Sequence, residues 1–442
     1  MNNDFIKRAT RLQEVNEELV FEKTAKAQFP GSSCAFRVVA NTLPNIANSV
    51  ALLLGPEICL YNAKLGSSLF SLTDMPLPNN LLFLLFSSED ITFGVSQKIR
   101  DAVIDVCTRY KPEVLFVVTT CLQEIIGEDF DVLIEETENA VSVPLIGIHT
   151  ENFTCESALP GFENTYMSLI KLMKKQEIEK GAVNIWGMRT HPSAKNELVS
   201  LLESKGVVIK SIFPAFCTPA DLQKAPSAEM NLVFERTSLP LAKEMQSRFG
   251  CDYVYFEKPY TPDAIEKMYQ IISEALNINI DVEIQKMKSK SVQKLNGMKK
   301  TFEGKTCVVS GSPFGRSFNY AELLLQLGLE IKGMVHSEVI ESDLEDIEIL
   351  KSCNVDFPII HAGNSVQTEL FLKELRPDYF MGMGDMEFLA SNGIEPKNTM
   401  FVHWLIGFSI LIEVLDSLCE APAGFKTIAY KEQYIKNWGV AN

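Results

Sequence analysis

No CxxC pair occurs anywhere in this chain, although it carries 10 cysteines in 442 residues. No local cysteine code for a metal or dithiol site can therefore be read from spacing. The scatter of those cysteines also lacks the regularity of a secreted disulfide framework, so a reducing, cytoplasmic setting is expected. No uninterrupted apolar run reaches the roughly 18 residues that mark a membrane span. The most apolar late stretch, Phe401 to Leu418, is broken by His403, Gly407, Glu413 and Asp416. The opening MNNDFIKRATRLQEVNEELV is polar with a helical pattern and has no apolar core of a secretory signal. Low-complexity tracts and short-period repeats are missing as well. Basic charge is in deficit: 41 Lys and Arg against 57 Asp and Glu give a net charge of −16. Nucleic acid and anionic membrane surfaces would repel such a chain, and neither is expected as a main partner.

What is present is an ordinary globular composition, 46% hydrophobic, in a chain long enough for about three domains. Apolar, β-branched runs alternate with helical patterns throughout. LLFLLF (81–86) is followed by the helical VSQKIRDAVIDVCTRY and the strand EVLFVVTT. Further on, VNIWGM, VVIKSIF, NLVFE and CDYVYFE are separated by helices, and KTCVVSG, LEIKGMVHSE, FPIIHAG and PDYFMGMG repeat the pattern. Short strands joined by helices of about 10 to 15 residues predict parallel βαβ units. The expected fold is three tandem doubly wound, Rossmann-like α/β domains with parallel sheets. They are placed at residues 1–180, 181–280 and 305–442, with a Lys-rich helical connector at 281–304 and a C-terminal helix packing back on the first domain.

Three cysteines stand at chain turns: Cys34 in PGSSCAFR, Cys59 in LLGPEICLYN and Cys121 in FVVTTCLQEIIGED. Cys59 and Cys121 follow apolar strand-like runs, where an open parallel sheet presents its ligand-binding loops. Gly55 and Pro56 allow close backbone approach. Thr119 and Thr120 are candidate donors to cluster sulfurs. Taken alone, each cysteine reads first as a buried structural thiol. Together they are compatible with a metal site, an iron–sulfur cluster in particular.

The segments GSSCAFR, LLGPEICLYNAKLG, SSEDITFGVSQKIRDAV, YKPEVLFVVTTCLQEIIGEDFDVLIEE, VPLIGIHTENF, NLVFERTSLPLAKEMQSRFG, GKTCVVSGSPF and PDYFMGMGD resemble, in order, the nitrogenase component I family. That family includes nitrogenase molybdenum–iron protein subunits, cofactor-assembly scaffolds, protochlorophyllide-type reductases and the nickel-sirohydrochlorin diamide reductase. The resemblance implies that Cys34, Cys59 and Cys121 hold an iron–sulfur cluster at an interface with a homologous or identical subunit. The cluster would be a 4Fe–4S cluster, or half of a P-cluster-like 8Fe–7S cluster shared with that partner. It further implies a subunit of a nitrogenase-like oxidoreductase, fed with electrons by a separate ATP-hydrolysing iron-protein-type reductase. The alternative it carries is a scaffold for metal-cofactor assembly without substrate turnover.

Departures from the family pattern narrow this reading. Where the nitrogenase catalytic subunit has a cysteine for its large cofactor, this chain has Phe234, Glu235 and Arg236. Cys217 and Cys251 flank that strand and read as core. His403 lies near the position of the cofactor-binding histidine, in surroundings that do not match. Asn152 and Cys155 of HTENFTC fall where a related subunit contributes a residue close to its cluster. SGSPFGRS (310–317) resembles a βα turn in which Arg316 could help hold an anion. It lacks the Gly-Lys-Ser/Thr ending of a P-loop, so ATP binding by this chain is not expected.

Overall fold

The computed structural model describes residues 9–16, 34–70, 80–127, 129–150, 159–189, 196–312, 315–362, 365–397, 405–421, 425 and 428. Its strands are β1 (Thr10–Arg11), β2 (Ser49–Gly55), β3 (Leu81–Leu85), β4 (Val114–Val118), β5 (Leu145–Ile148), β6 (Glu179–Met188) and β7 (Val208–Pro214), followed by β8 (Ala228–Val233), β9 (Asp252–Tyr255), β10 (Thr306–Ser310), β11 (Glu330–Val335), β12 (Pro358–Ile360), β13 (Tyr379–Met381) and β14 (Glu395–Pro396). They form three sheets, in the orders β3-β2-β4-β5, β7-β6-β8-β9 and β1-β12-β11-β10-β13-β14. Every pairing is parallel except that of β1 with β12. The expected class, doubly wound α/β with parallel sheets, is the one observed.

Two compact units divide the chain. One comprises residues 30–195 and 202–256; the other comprises 1–29, 196–201 and 257–442. The first contains the two four-stranded sheets. In its β2 and β4 every residue is buried, as expected of central parallel strands covered on both faces. They pair with Leu52 opposite Val117. At the edge, β3 turns Leu82 and Leu84 onto the core while Phe83 and Leu85 are exposed, the two-residue alternation of a half-covered strand. The helix Ser96–Tyr110 buries Ile99, Val103 and Val106 on the face that meets this core. Within the same unit the two sheets are tied by a parallel bridge between Ile46 and Cys217, whose N–H donates to the Asn45 carbonyl at 3.1 Å.

The second unit holds the six-stranded sheet. The Lys-rich stretch expected at 281–304 is a helix of 22 residues, Asp281–Phe302. Its Lys288 binds Asp263 at 2.5 Å and Glu266 at 2.7 Å, and its Lys294 binds Asp416 at 2.5 Å on the helix Phe408–Cys419. Residues 429–442, which include most of the segment beyond that helix, lie outside the described residues.

Candidate metal centre

From β2 the chain steps outward to β3, then crosses back over β2 to reach β4 and β5. With right-handed crossovers, the connections leaving β2 and β4 run to opposite faces of the sheet and leave a crevice between the two carboxyl ends. Cys59 and Cys121 follow these two strands. Pro56 ends β2, and its carbonyl accepts from the N–H groups of Cys59 (3.0 Å) and Leu60 (3.2 Å), starting the helix Glu57–Phe70. Cys121 is the first residue of the helix Cys121–Ile126, with Thr120 as N-cap. Cys34 is itself the N-cap of the helix Ala35–Thr42. All three cysteines therefore sit at helix starts.

Two glycines allow close approach beside these helix starts. A Cβ on Gly55 would stand 2.7 Å from Thr120 Cγ2, so the turns bearing Cys59 and Cys121 touch where only a hydrogen fits. A Cβ on Gly161 would stand 2.5 Å from the Ala35 carbonyl oxygen, so the helix Leu159–Ser168 lies hard against the start of the Cys34 helix. Cys34, Cys59 and Cys121 are all partly buried. Burial, and then the neighbouring thiols of Cys121 and Cys34, push the Cys59 thiol above its ordinary pKa. Cys59 is thus within electrostatic reach of both other cysteines.

Among the described residues, no group of three His, Cys, Asp or Glu is arranged to hold a single metal ion. Thiolates bound to different irons of one cluster stand wider apart, at roughly 4 to 8 Å. An all-thiolate donor set from three loops suits iron and sulfide better than a hard cation. On the cysteine-bearing helices Ile58, Tyr61 and Ile125 are each at least 60% exposed, and Phe93 on the helix after β3 is 86% exposed.

Several expected roles are revised. Thr119 and Thr120 are buried, and their donors are already used. The Thr119 N–H and hydroxyl both turn to the Ile148 carbonyl, at 3.1 and 3.4 Å. The Thr120 N–H and hydroxyl both donate to Gln123 Oε1, at 2.8 and 2.9 Å. Strand pairing with β5 and the helix cap take these groups before any cluster could. Gln123 was missed from sequence, although Thr-x-x-Gln ahead of an apolar pair is a capping-box pattern. Arg316 is not available to an anion either, because it forms a two-pronged pair with Asp346 at 2.8 and 2.7 Å.

Glu235 is buried and accepts from Arg189 Nε at 2.6 Å and Nη2 at 2.7 Å. The Arg189 guanidinium lies 4.2 Å from the centre of the Phe162 ring. An ion pair thus occupies the stretch Phe234, Glu235 and Arg236, in which the resemblance places a cofactor cysteine of the catalytic nitrogenase subunit. Cys217 and Cys251 are buried, and Cys251 Sγ donates to the Pro226 carbonyl at 3.2 Å. Burial, then Asp252, pushes the Cys251 thiol to about 11. Both behave as core residues. Asn152, Cys155 and His403 lie outside the described residues.

A family model described as nitrogenase component 1 type oxidoreductase matches residues 34–406. The nitrogenase iron-molybdenum cofactor biosynthesis protein NifE of Nostoc sp. is 23% identical over 411 residues, spanning 89% of this chain and 84% of that protein. The nitrogenase molybdenum-iron protein alpha chain of Methanothermococcus thermolithotrophicus is 24% identical over 377 residues, spanning 80% and 78%. The corresponding beta chain of Methanococcus maripaludis is 21% identical over 355 residues, spanning 71% and 75%. The solved structure titled "Nitrogenase Cp1 at pH 6.5" superposes with a TM-score of 0.76 over 95% of this chain and 97% of that one, at 16% identity, and shares its fold.

Proposed function

Since the chain belongs to the nitrogenase component 1 type oxidoreductase family, we propose that it is an iron–sulfur subunit of a nitrogenase-like oxidoreductase. It receives electrons from a separate ATP-dependent reductase of the iron-protein type and passes them to a substrate or a larger cofactor. What supports this reading is the placement of Cys34, Cys59 and Cys121 at three helix starts, two of them just beyond the adjacent strands β2 and β4, with the neighbouring thiols of Cys121 and Cys34 contributing to the raised Cys59 pKa. Those three thiolates are the proposed ligands, and the bound cluster supplies one-electron redox chemistry. The buried ends of β2 and β4 keep water from one side of the site.

Three ligands leave a four-iron cluster incomplete, and the apolar side chains around the cysteines are exposed. A second component 1 subunit, identical or homologous, therefore supplies the remaining ligation and cover. Similarity to both alpha and beta chains supports a partner related by exact or approximate two-fold symmetry.

The second reading is a scaffold on which a metal cofactor is assembled. It is favoured by similarity to a cofactor biosynthesis protein and by the Glu235–Arg189 pair where a cofactor cysteine would stand. The test is anaerobic purification with iron and sulfide quantification. It is followed by turnover with the cognate reductase and, separately, transfer of iron to an apo acceptor. Iron with substrate reduction supports the oxidoreductase; iron with transfer and no reduction supports the scaffold; stoichiometric absence of iron overturns both.

A further inference from the structure

The residue bonded to Cys34 is gripped by a helix from outside its own. A Cβ on Gly161 would stand 2.5 Å from the Ala35 carbonyl oxygen and 2.9 Å from the Ala35 Cα. The helix Leu159–Ser168 therefore meets the backbone that follows Cys34 with no side chain in between. The Cys34 carbonyl accepts from the Val38 N–H at 3.2 Å, so the first turn of the helix Ala35–Thr42 carries this cysteine with it. Whatever fixes Gly161 bears directly on where Cys34 stands.

Next to Gly161 is Phe162, 7% exposed, and the Arg189 guanidinium lies 4.2 Å from the centre of its ring. Arg189 directly follows β6, and its Nε and Nη2 donate to the two carboxylate oxygens of Glu235, just beyond β8, at 2.6 and 2.7 Å. The two strand ends hold this pair in place. Trp186 pairs with Val233, and the Phe234 N–H donates to the Trp186 carbonyl at 2.8 Å. Gly187, at φ 88°, lies so close that a Cβ on it would stand 2.7 Å from the Glu235 nitrogen. Further along the helix, Tyr166 meets Phe213 of β7 edge to face at 5.3 Å. A chain of contacts thus runs from the ends of β6 and β8 through Arg189, Phe162 and Gly161 to Ala35.

A buried ion pair is a poor source of net stability, because desolvation offsets its attraction and apolar residues of similar volume often do as well. A forked, stacked guanidinium supplies something they lack, a single preferred orientation. We propose that Arg189 is a positioning residue for Cys34, acting through Phe162 and Gly161 to fix where one of the three proposed cluster thiolates stands. The functional meaning of this rests on the cluster reading made above. Arg189 itself is neither a ligand nor a catalytic residue.

Two full-length proteins test the proposal. Arg189→Met combined with Glu235→Leu replaces the ion pair by apolar side chains, and Phe162→Leu keeps the pair while removing the ring. Each is purified anaerobically with the wild type. Iodoacetamide labelling after treatment with an iron chelator, followed by peptide mass spectrometry, gives a separate rate for each cysteine. In both variants the Cys34 rate should rise by roughly 2- to 30-fold relative to those of Cys59 and Cys121, the range expected for a coupling carried through packed side chains. In the iron-loaded proteins, grown with cysteine carrying carbon-13 at Cβ, electron–nuclear double resonance should show one ligand coupling altered and the others retained. An unchanged Cys34 rate in folded variants overturns the proposal. So does an equal rise at all three cysteines, which marks general loosening. If the double variant does not fold, Phe162→Leu decides. Wild-type protein without iron overturns the cluster reading instead, and the relative cysteine rates still decide whether Arg189 positions Cys34.

Discussion

Gly55 and Thr120 compete for one small volume: a Cβ on the glycine would stand 2.7 Å from the threonine methyl and 2.9 Å from its hydroxyl oxygen. Both are anchored by parallel strands whose positions the sheet sets, so neither turn can yield cheaply. Gly55→Ala should destabilise the protein by about 1 to 3 kcal/mol, the usual cost of overpacking. It should also reduce bound iron, because it separates the turns that bear Cys59 and Cys121. Chemical denaturation and iron assay measure the two effects. A variant with wild-type stability and iron content would show that the contact is dispensable.

Changing Cys34, Cys59 or Cys121 to alanine should abolish stoichiometric iron and the visible absorbance of the cluster while leaving far-ultraviolet circular dichroism unchanged. The cores of the α/β units are apolar and do not depend on metal. Cys217→Ala and Cys251→Ala serve as controls. They should cost stability through lost packing and keep their iron. Full iron in Cys121→Ala removes that residue from the ligand set.

Glu235 and Arg189 make a buried pair, so the loss of one partner is costly. Glu235→Ala should destabilise by about 3 to 5 kcal/mol by leaving the guanidinium without its carboxylate. Paired replacement by apolar residues of similar shape should recover much of that loss. Iron content should be unaffected in either protein. A second, larger metal cofactor found beside Glu235 would overturn the view that this position is filled by a structural ion pair.

The carboxyl of Asp90 is drawn down to about 2 by its hydrogen bond to the Lys98 ammonium and then by the Ser87 N–H and hydroxyl. Its folded pKa lies below the unfolded value, so its contribution to stability is full above about 3.8 and is lost as pH falls through about 2. Carboxyl carbon NMR of the native protein should give a midpoint near 2. A midpoint at the ordinary aspartate value would show that the cap at the start of the Phe93-bearing helix does not form in solution.

An incomplete ligand set and an exposed apolar edge predict an obligate assembly burying about 2,000 Å² or more. Anaerobic light scattering should find at least a dimer, with the chain itself or with a homologous subunit. A monomer retaining a full cluster contradicts the interface placement.

The strands were legible because buried parallel strands leave long β-branched runs, as in Val114–Val118. β1 and β14, two residues each, were not, because pairs this short carry no periodicity. The partners of the two threonines were hidden for a different reason. A threonine's hydroxyl is visible in the sequence, but its acceptor is a backbone carbonyl 29 residues away for Thr119. The partner of Glu235 is likewise 46 residues distant. Such pairings follow from topology, and local pattern does not contain them. Gly161 illustrates the same limit, since nothing in LPGFEN indicates which backbone will approach it.

That glycine has a mechanical consequence. Cys59 and Cys121 descend from adjacent strands, whose spacing of about 4.8 Å is set by backbone hydrogen bonds, so their separation is inherited from the sheet. Cys34 has no such inheritance: its helix is braced at Ala35 against Gly161 on the helix Leu159–Ser168, which also bears Phe162 beneath Arg189 and Tyr166 against the Phe213 ring of β7. One thiol is therefore referenced to a different ruler from the other two. The site has two fixed jaws on the first sheet and a third whose alignment is calibrated by the packing of the second.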